Sequence, residues 1–179
     1  MFLRRPIFYR DLDMVFKKTF FSAFILFFVL LTNFAGADQT ELKPFGAGSY
    51  QKILASNSHK PFLLIVWSIT CSSCLKEMPL ISDIHQKNPA LTIVMLAADD
   101  ISEADQIQMI LRKNKLSDVE NWSYADENTQ KLQFEIDPKW YGELPRTYFF
   151  DKEHQREGIS GVLSEADYGN RITKILKFR

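Results

Sequence analysis

The sequence predicts an α/β sandwich built on a mixed β-sheet. Two continuous apolar runs of strand length, FLLIVWS at residues 62–68 and LTIVMLA at residues 91–97, have the composition of strands buried on both faces. A segment with helical spacing of its apolar residues follows each run, and a predicted hairpin and a last helix close the chain. Strands that alternate with helices before a closing hairpin indicate a layered α/β architecture.

The first half of the chain carries two helix signals. Ser49 can cap a short helix over residues 49–54, which His59-Lys60-Pro61 would end. A longer helix is predicted to begin at Cys71, with Pro79 inside it as the expected site of a kink. Its inner face consists of residues at three- and four-residue steps: Cys74, Leu75, Met78, Ile81 and Ile84.

The second half repeats one capping signal. Ser102-Glu103-Ala104-Asp105 is predicted to start a helix that extends to about residue 114. The inner face of this helix is formed by Ile107, Ile110 and Leu111. The same four letters recur at residues 164–167, ahead of the last predicted helix. We interpret the recurrence as repeated capping chemistry and not as an internal repeat.

Shorter elements complete the predicted domain. We expect a strand at residues 122–124 and a short helix at residues 127–134. A strand at residues 147–150, which turns at Asp151, is predicted to pair with residues 159–163 as a hairpin. No low-complexity linker separates these elements, so we expect one domain.

The amino-terminal segment has the pattern of a secretory signal peptide. Two lysines precede an apolar run at residues 20–31, and Ala35-Gly36-Ala37 supplies a cleavage pattern of small residues. We expect cleavage to remove residues 1–37 and to leave a mature domain of residues 38–179. The apolar run is shorter than the roughly 20 residues that a transmembrane helix needs. An uncleaved membrane anchor is the alternative, and Met14 is an alternative start.

Charge and cysteine count narrow the function classes. Of the 22 basic and 22 acidic residues, 5 and 2 precede Asp38, which leaves the mature domain with a net charge of −3. That balance argues against a nucleic-acid partner. Two cysteines in an exported protein are expected to form a disulfide. As a structural crosslink it would contribute little, because the chain-entropy gain grows with loop length and only two residues lie between these cysteines.

The segment Cys71-Ser72-Ser73-Cys74 has the spacing of a reactive cysteine pair. A thiol at the start of a helix has a pKa below its usual value of about 8.5, because unpaired N–H groups and the helix dipole stabilise an anion there. Cys71 is therefore the predicted nucleophile. Cys74, one helical turn later, can attack a mixed disulfide on Cys71 and release the partner.

Other uses of the pair have less support from the neighbouring residues. A structural zinc site needs four ligands, and none of His59, His85 and His154 stands at ligand spacing from the cysteines. Covalent haem attachment requires a histidine directly after the second cysteine, where this chain has Leu75. We therefore expect no metal and no organic cofactor. An inert disulfide remains an alternative.

The chain resembles the thioredoxin-like thiol-disulfide oxidoreductases, and within them the exported or membrane-anchored TlpA/ResA type. The resemblance spans about residues 45–178. It rests on motifs around the pair and in the second half of the chain: Trp67, Cys71-x-x-Cys74, Lys76-Glu77-Met78-Pro79, Leu144-Pro145-Arg146-Thr147 and Phe149-Phe150-Asp151-Lys152. The resemblance implies a thioredoxin-like three-layer sandwich, in which helices flank a mixed central β-sheet.

The resemblance also implies roles for residues outside the pair. It implies that the Leu144–Pro145 bond is cis, that this loop lies beside the cysteines, and that Leu144 and Pro145 bind an extended stretch of the partner. Glu77 stands where the family often has an acid that assists proton transfer near the thiols. A solvated helix position is the alternative for Glu77. Only partial desolvation would raise the pKa of its carboxyl towards the working pH.

Four residues depart from the family pattern. Ile65 stands where thioredoxin itself has a buried acid, which leaves proton handling to Glu77 or to water. Ser72-Ser73 replaces the usual Gly-Pro between the cysteines, so the reduction potential cannot be taken from a relative. Thr70 stands where many relatives have tryptophan, whereas Trp67 is expected to pack in the core beneath the pair.

The resulting hypothesis is a periplasmic thiol-disulfide oxidoreductase that uses Cys71 and Cys74 as a reductase of exported protein thiols. Its expected partners are exported protein thiols or disulfides and a membrane dithiol that donates electrons. Contact with the membrane is expected only through an uncleaved anchor. Two rival hypotheses use the same fold. One is a copper-delivery protein, and the other is a non-catalytic binding module with a structural disulfide.

Overall fold

The computed structural model describes residues 41–177. Its elements, in chain order, are β1 (Lys43–Phe45), α1 (Ser49–Ser56), β2 (Phe62–Trp67), α2 (Ser72–Lys87), β3 (Thr92–Asp100), a 3₁₀ turn (Ile101–Glu103), α3 (Ala104–Lys113), β4 (Glu120–Tyr124), α4 (Thr129–Ile136), β5 (Arg146–Phe150), β6 (Arg156–Ser160) and α5 (Glu165–Lys177). The predicted signal peptide at residues 1–37 lies outside the described residues. Within the described range, no helix combines the length and the apolar character needed to cross a membrane.

Six strands of the described chain form one mixed sheet in the order β1-β4-β3-β2-β5-β6. β2 is parallel to β3, with Phe62 opposite Thr92, and antiparallel to β5, with Phe62 opposite Phe150. β4 extends the parallel part and β6 extends the antiparallel part. The predicted mixed sheet is therefore confirmed. β2 lies in its interior, as its continuous apolar run indicates.

Alternate side chains of β2 enter two separate hydrophobic layers. Leu63, Ile65 and Trp67 pack in the layer covered by α2, α3 and α5. Phe62 and Val66 pack in the layer covered by α1 and α4. Every residue of β2 is at most 1% exposed. Helices thus cover both faces of the sheet, which confirms the predicted three-layer sandwich.

Two of the predicted helix caps are wrong. Gly48, with a φ of 77°, is the N-cap of α1, and Ser49 is already helical. Glycine takes this left-handed conformation without the steric cost that a side chain would add. Asp100 Oδ1 accepts a hydrogen bond from Ser102 N at 2.9 Å, so a 3₁₀ turn precedes α3. The predicted cap of α5 is confirmed, because the hydroxyl of Ser164 accepts a backbone N–H from the first turn.

The closing hairpin is present, but its second strand begins three residues earlier than predicted. Asp151 Oδ1 accepts hydrogen bonds from Glu153 N and Gln155 N. These bonds close a turn of five residues, so β6 pairs with β5 from Arg156 onwards. Leu163, predicted at the end of the hairpin, lies instead in the buried part of the loop that leads to α5.

Candidate active site

The two cysteines lie where β2 passes into α2. Cys71 is the N-cap of α2 and follows the end of β2 through residues 68–70. A disulfide joins Cys71 to Cys74, with an S–S distance of 2.07 Å. Cys74 N also donates a hydrogen bond to Cys71 Sγ at 3.2 Å. The first turn of the helix therefore directs an N–H group at the Cys71 sulfur.

The two cysteine side chains differ in exposure. Cys74 is 1% exposed and packs in the core with Trp67 and Met78. Cys71 is half-buried and lies at the margin of the same core. A partner protein can therefore reach Cys71 from solvent, whereas the helix covers Cys74. Trp67 is 1% exposed and belongs to the same core, as expected.

An aspartate that the sequence patterns do not single out holds the segment before Cys71. Asp99, near the end of β3, accepts hydrogen bonds from Ser68 Oγ at 2.8 Å and from Ile69 N at 2.9 Å. Ser68 Oγ in turn accepts a hydrogen bond from Thr70 N at 3.2 Å. The available sequence signal is an acid two residues after the apolar run at residues 91–97. The carboxyl ends of the parallel strands β2 and β3 lie at the same edge of the sheet, which brings this acid to the cysteine loop.

The proline loop lies at the same end of the sheet as the cysteines. The Leu144–Pro145 bond is cis, as the resemblance implies. Arg146, which follows it, pairs with Val66 of β2. Pro145 is buried and the Leu144 side chain is half-buried. The loop is therefore adjacent to the strand that leads to Cys71.

Glu77 is buried in the core. It is 2% exposed. Its Oε1 accepts hydrogen bonds from Leu163 N at 2.8 Å and from Tyr168 OH at 3.3 Å. Its Oε2 is buried and has no hydrogen-bond partner within residues 41–177. The alternative of a solvated helix position is therefore wrong.

Burial changes the acid chemistry of this carboxyl. Burial raises the pKa of Glu77 above its ordinary value of 4.5, and the hydrogen bonds from Leu163 and Tyr168 offset part of that rise. Glu77 lies one helical turn after Cys74, so both side chains face the same core. Tyr168 OH also lies 3.2 Å from Thr147 Oγ1. A short chain of polar groups thus connects Glu77 to β5.

Histidine side chains make contacts away from the cysteine pair. His85 Nε2 lies 3.0 Å from Asp118 Oδ2, and His154 Nε2 lies 3.0 Å from Asn57 O. In the part of the chain that the structure describes, no group of three or more His, Cys, Asp and Glu side chains is arranged to hold a metal ion. The contacts of His85 and His154 therefore give no support to the hypothesis of copper or zinc binding at the cysteine pair.

Comparison with solved structures identifies the fold. No protein-family model and no curated protein matches the chain. A secreted Mycobacterium tuberculosis disulfide oxidoreductase homologous to E. coli DsbE is similar in structure, with a TM-score of 0.56 and 23% identity over 67% of this chain and 85% of that chain. A thioredoxin-family thiol:disulfide interchange protein from Chlorobium tepidum has a TM-score of 0.56 and 17% identity, over 69% of this chain and 84% of that chain. The chain has a thioredoxin-like fold.

A third structure extends the comparison of this thioredoxin-like domain. StoA from Bacillus subtilis has a TM-score of 0.51 and 14% identity, over 66% of this chain and 86% of that chain. At such identities the likeness concerns the fold. The thioredoxin-like architecture implied by the sequence motifs is therefore confirmed, and the roles of individual residues rest on the geometry of the site.

We expect Asp99 and Ser68 to be energetically coupled, because the carboxylate accepts the hydroxyl hydrogen bond at 2.8 Å. In a double-mutant cycle of Asp99→Ala and Ser68→Ala, the free energies of unfolding should depart from additivity by about 1–2 kcal/mol. Urea denaturation with the disulfide intact measures these free energies. Asp100→Ala is the matched control and should be additive with Ser68→Ala, because Asp100 accepts from Ser102 N instead. Additivity between Asp99 and Ser68 would contradict the coupling.

Proposed function

We propose that the protein is a periplasmic thiol-disulfide oxidoreductase that acts through Cys71 and Cys74 as a reductase, which returns exported protein thiols from the disulfide to the reduced state. The observation that carries this proposal is the unequal exposure of the two cysteines at the start of α2. One sulfur is open to a partner, and the other is held in the core within bonding distance of the first. Two-step disulfide exchange requires this arrangement. The structural similarity to a secreted disulfide oxidoreductase supports the same proposal.

The exchange proceeds in two displacements. The Cys71 thiolate attacks one sulfur of the partner's disulfide, so that a mixed disulfide forms and the other partner sulfur leaves as a thiolate. Cys74 then loses its proton and attacks Cys71 Sγ. The Cys71–Cys74 disulfide forms, and the second partner sulfur leaves as a thiolate. The partner gains two electrons and the cysteine pair loses two.

The helix start favours Cys71 as the attacking thiol. Its sulfur lies at the positive end of the α2 dipole, where an anion is stabilised. Cys74 N donates to the same sulfur at 3.2 Å. Both interactions favour the thiolate over the thiol, which lowers the pKa of a reduced Cys71. Its partial exposure lets a partner disulfide approach.

The oxidised pair needs a source of electrons. A membrane dithiol would reduce the Cys71–Cys74 disulfide through the same two displacements in reverse, with two electrons passed to the pair. Such a donor is needed in an oxidising compartment, where thiols do not stay reduced unaided. The signal-peptide pattern at residues 1–37 and the secreted structural neighbour support export to that compartment.

We assign partner binding to the cis-proline loop. Leu144 and Pro145 lie at the sheet end where β2 leads to Cys71. The backbone before Pro145 would pair with an extended stretch of the partner, and the half-buried Leu144 side chain would supply an apolar contact. The partner's disulfide would then lie over the exposed side of Cys71.

Glu77 is the proposed acceptor of the Cys74 proton. Cys74 is buried and must lose its proton before it attacks Cys71, so water has limited access at that step. Glu77 lies one helical turn away in the same core, and burial raises the pKa of its carboxyl above its ordinary value. A carboxyl with a raised pKa is a better match to the thiol than an exposed glutamate.

Insulin disulfide reduction by the full chain, with dithiothreitol as the electron source, tests the proposed activity. Wild type should accelerate the reaction, and Cys71→Ser should fall to the uncatalysed rate because the nucleophile is lost. Cys74→Ser should lose turnover and accumulate a mixed disulfide on Cys71, which mass spectrometry detects. Wild-type activity no greater than that of both variants would contradict the proposal.

Glu77→Gln should change two pH profiles. The raised folded-state pKa means that stability from this group is fully present below pH 4.5 and is lost as pH rises through the folded pKa. Wild type should therefore lose stability relative to Glu77→Gln across that window, as urea denaturation would show. Resolution of a Cys71 mixed disulfide should slow by roughly 100-fold near neutral pH.

The exposed Glu143 provides the matched control for this experiment. Glu143→Gln should leave both profiles unchanged. A resolution rate in Glu77→Gln equal to that of wild type at every pH would remove Glu77 from the mechanism. Parallel stability profiles for Glu77→Gln and wild type would contradict the raised pKa.

A further inference from the structure

One side chain between the two cysteines contacts the reacting sulfur. Ser73 Oγ lies 3.3 Å from Cys71 Sγ. Ser73 is half-buried, whereas the adjacent Ser72 is exposed to solvent. The contact with Cys71 is the one hydrogen bond that the Ser73 side chain makes within the described residues. The two serines of the Ser72-Ser73 dipeptide are therefore not equivalent.

The direction of this hydrogen bond follows from the chemistry of sulfur. Cys71 Sγ is bonded to Cys74 Sγ and carries no hydrogen. The hydroxyl of Ser73 must therefore donate, and the sulfur accepts. The same sulfur also accepts from Cys74 N at 3.2 Å. Two donors from the first turn of α2 thus converge on one sulfur atom.

We propose that Ser73 stabilises the reduced state of the pair by donating its hydroxyl hydrogen bond to the Cys71 thiolate. This inference rests on the proposed function and names a residue that shifts the redox equilibrium of the same cysteine pair. A hydrogen bond to a full negative charge is about twice as strong as one to a neutral acceptor. The bond therefore gains more when Cys71 is a thiolate than when it is part of a disulfide.

The charge on Cys71 affects the redox equilibrium of the pair. Reduction of the Cys71–Cys74 disulfide takes up two electrons, and it takes up two protons if both sulfurs end as thiols. When Cys71 remains a thiolate, only Cys74 takes up a proton. Stabilisation of that thiolate favours the reduced pair, so Ser73 makes the pair a stronger oxidant and a weaker reductant. Neither proline nor glycine at this position could supply the side-chain donor.

The test compares two substitutions of equal shape at one position. Ser73→Thr keeps a hydroxyl, and Ser73→Val replaces it with a methyl group. Ser72→Ala removes the neighbouring hydroxyl as the matched control. The pKa of Cys71 is measured from the pH dependence of iodoacetamide alkylation, in the full reduced chain carrying Cys74→Ala so that one thiol reacts. The disulfide equilibrium with glutathione is measured in chains that keep Cys74.

Ser73→Val should raise the pKa of Cys71 by roughly one to two units. It should also shift the glutathione equilibrium about tenfold towards the disulfide, which corresponds to about 30 mV. Ser73→Thr and Ser72→Ala should stay close to wild type in both measurements. Circular dichroism of the Thr and Val variants checks the fold, and a defect of shape alone would affect the two variants alike.

Three results would overturn the inference: a Cys71 pKa in Ser73→Val equal to wild type, an equal shift in Ser72→Ala, or an equal shift in Ser73→Thr. The alkylation measurement needs no partner protein, so it is independent of the proposed activity. A chain without insulin reduction that still shows the Ser73→Val shift would contradict the proposed function and support the role of Ser73. A chain that reduces insulin but lacks the Ser73→Val shift would support the proposed function and contradict the role of Ser73.

Discussion

The packing of α2 against β2 fixes both sulfur atoms, and the rest of the site depends on it. β2 ends at Trp67 and α2 begins at Ser72, so a connecting segment of four residues joins them. The carboxylate of Asp99, on the neighbouring strand β3, accepts hydrogen bonds from Ser68 and Ile69 at the start of that segment. Cys74 packs in the layer between helix and sheet, which leaves Cys71 at the margin. The position of the Cys71 sulfur thus follows from the packing of α2 in the core.

This packing gives the two sulfurs separate chemical environments. Cys71 lies at the helix start, where Cys74 N and Ser73 Oγ both point at its sulfur. Cys74 lies in the core that also holds Glu77, one turn further along the helix. Within residues 41–177 the buried Oε2 of Glu77 has no hydrogen-bond partner, which costs free energy, and such a cost is common at functional sites. The Cys71 sulfur therefore accepts hydrogen bonds, whereas Cys74 shares the core with Glu77, the proposed acceptor of its proton.

Much of this arrangement is predictable from local sequence signals. The apolar run of β2 and the helical spacing after Cys71 predict the strand-helix junction, and the fold confirms it. Glu77, three residues after Cys74, is not among the residues predicted for the inner face of the helix. Its buried carboxyl accepts hydrogen bonds from Leu163 N and Tyr168 OH. Those donors come from more than 80 residues away, so no local pattern reveals them. The contacts of Asp99 likewise depend on the register of β3 against β2. Ser73 is only two residues from Cys71, but the sequence does not show that its hydroxyl, and not that of Ser72, contacts the sulfur. The strand β1 has three residues, which is too short for a recognisable alternation of apolar and polar side chains.

A working redox pair and a structural crosslink differ in the reduction potential of the Cys71–Cys74 disulfide. The full chain is equilibrated with glutathione buffers of graded composition, and the fraction of the Cys71–Cys74 disulfide is measured by alkylation and mass spectrometry. If Cys71 and Cys74 are a redox pair, reduction is rapid and the potential lies between about −270 and −120 mV, the range of known thiol-disulfide oxidoreductases. A potential below about −300 mV with slow reduction would contradict this redox role, because structural disulfides in secreted proteins lie there.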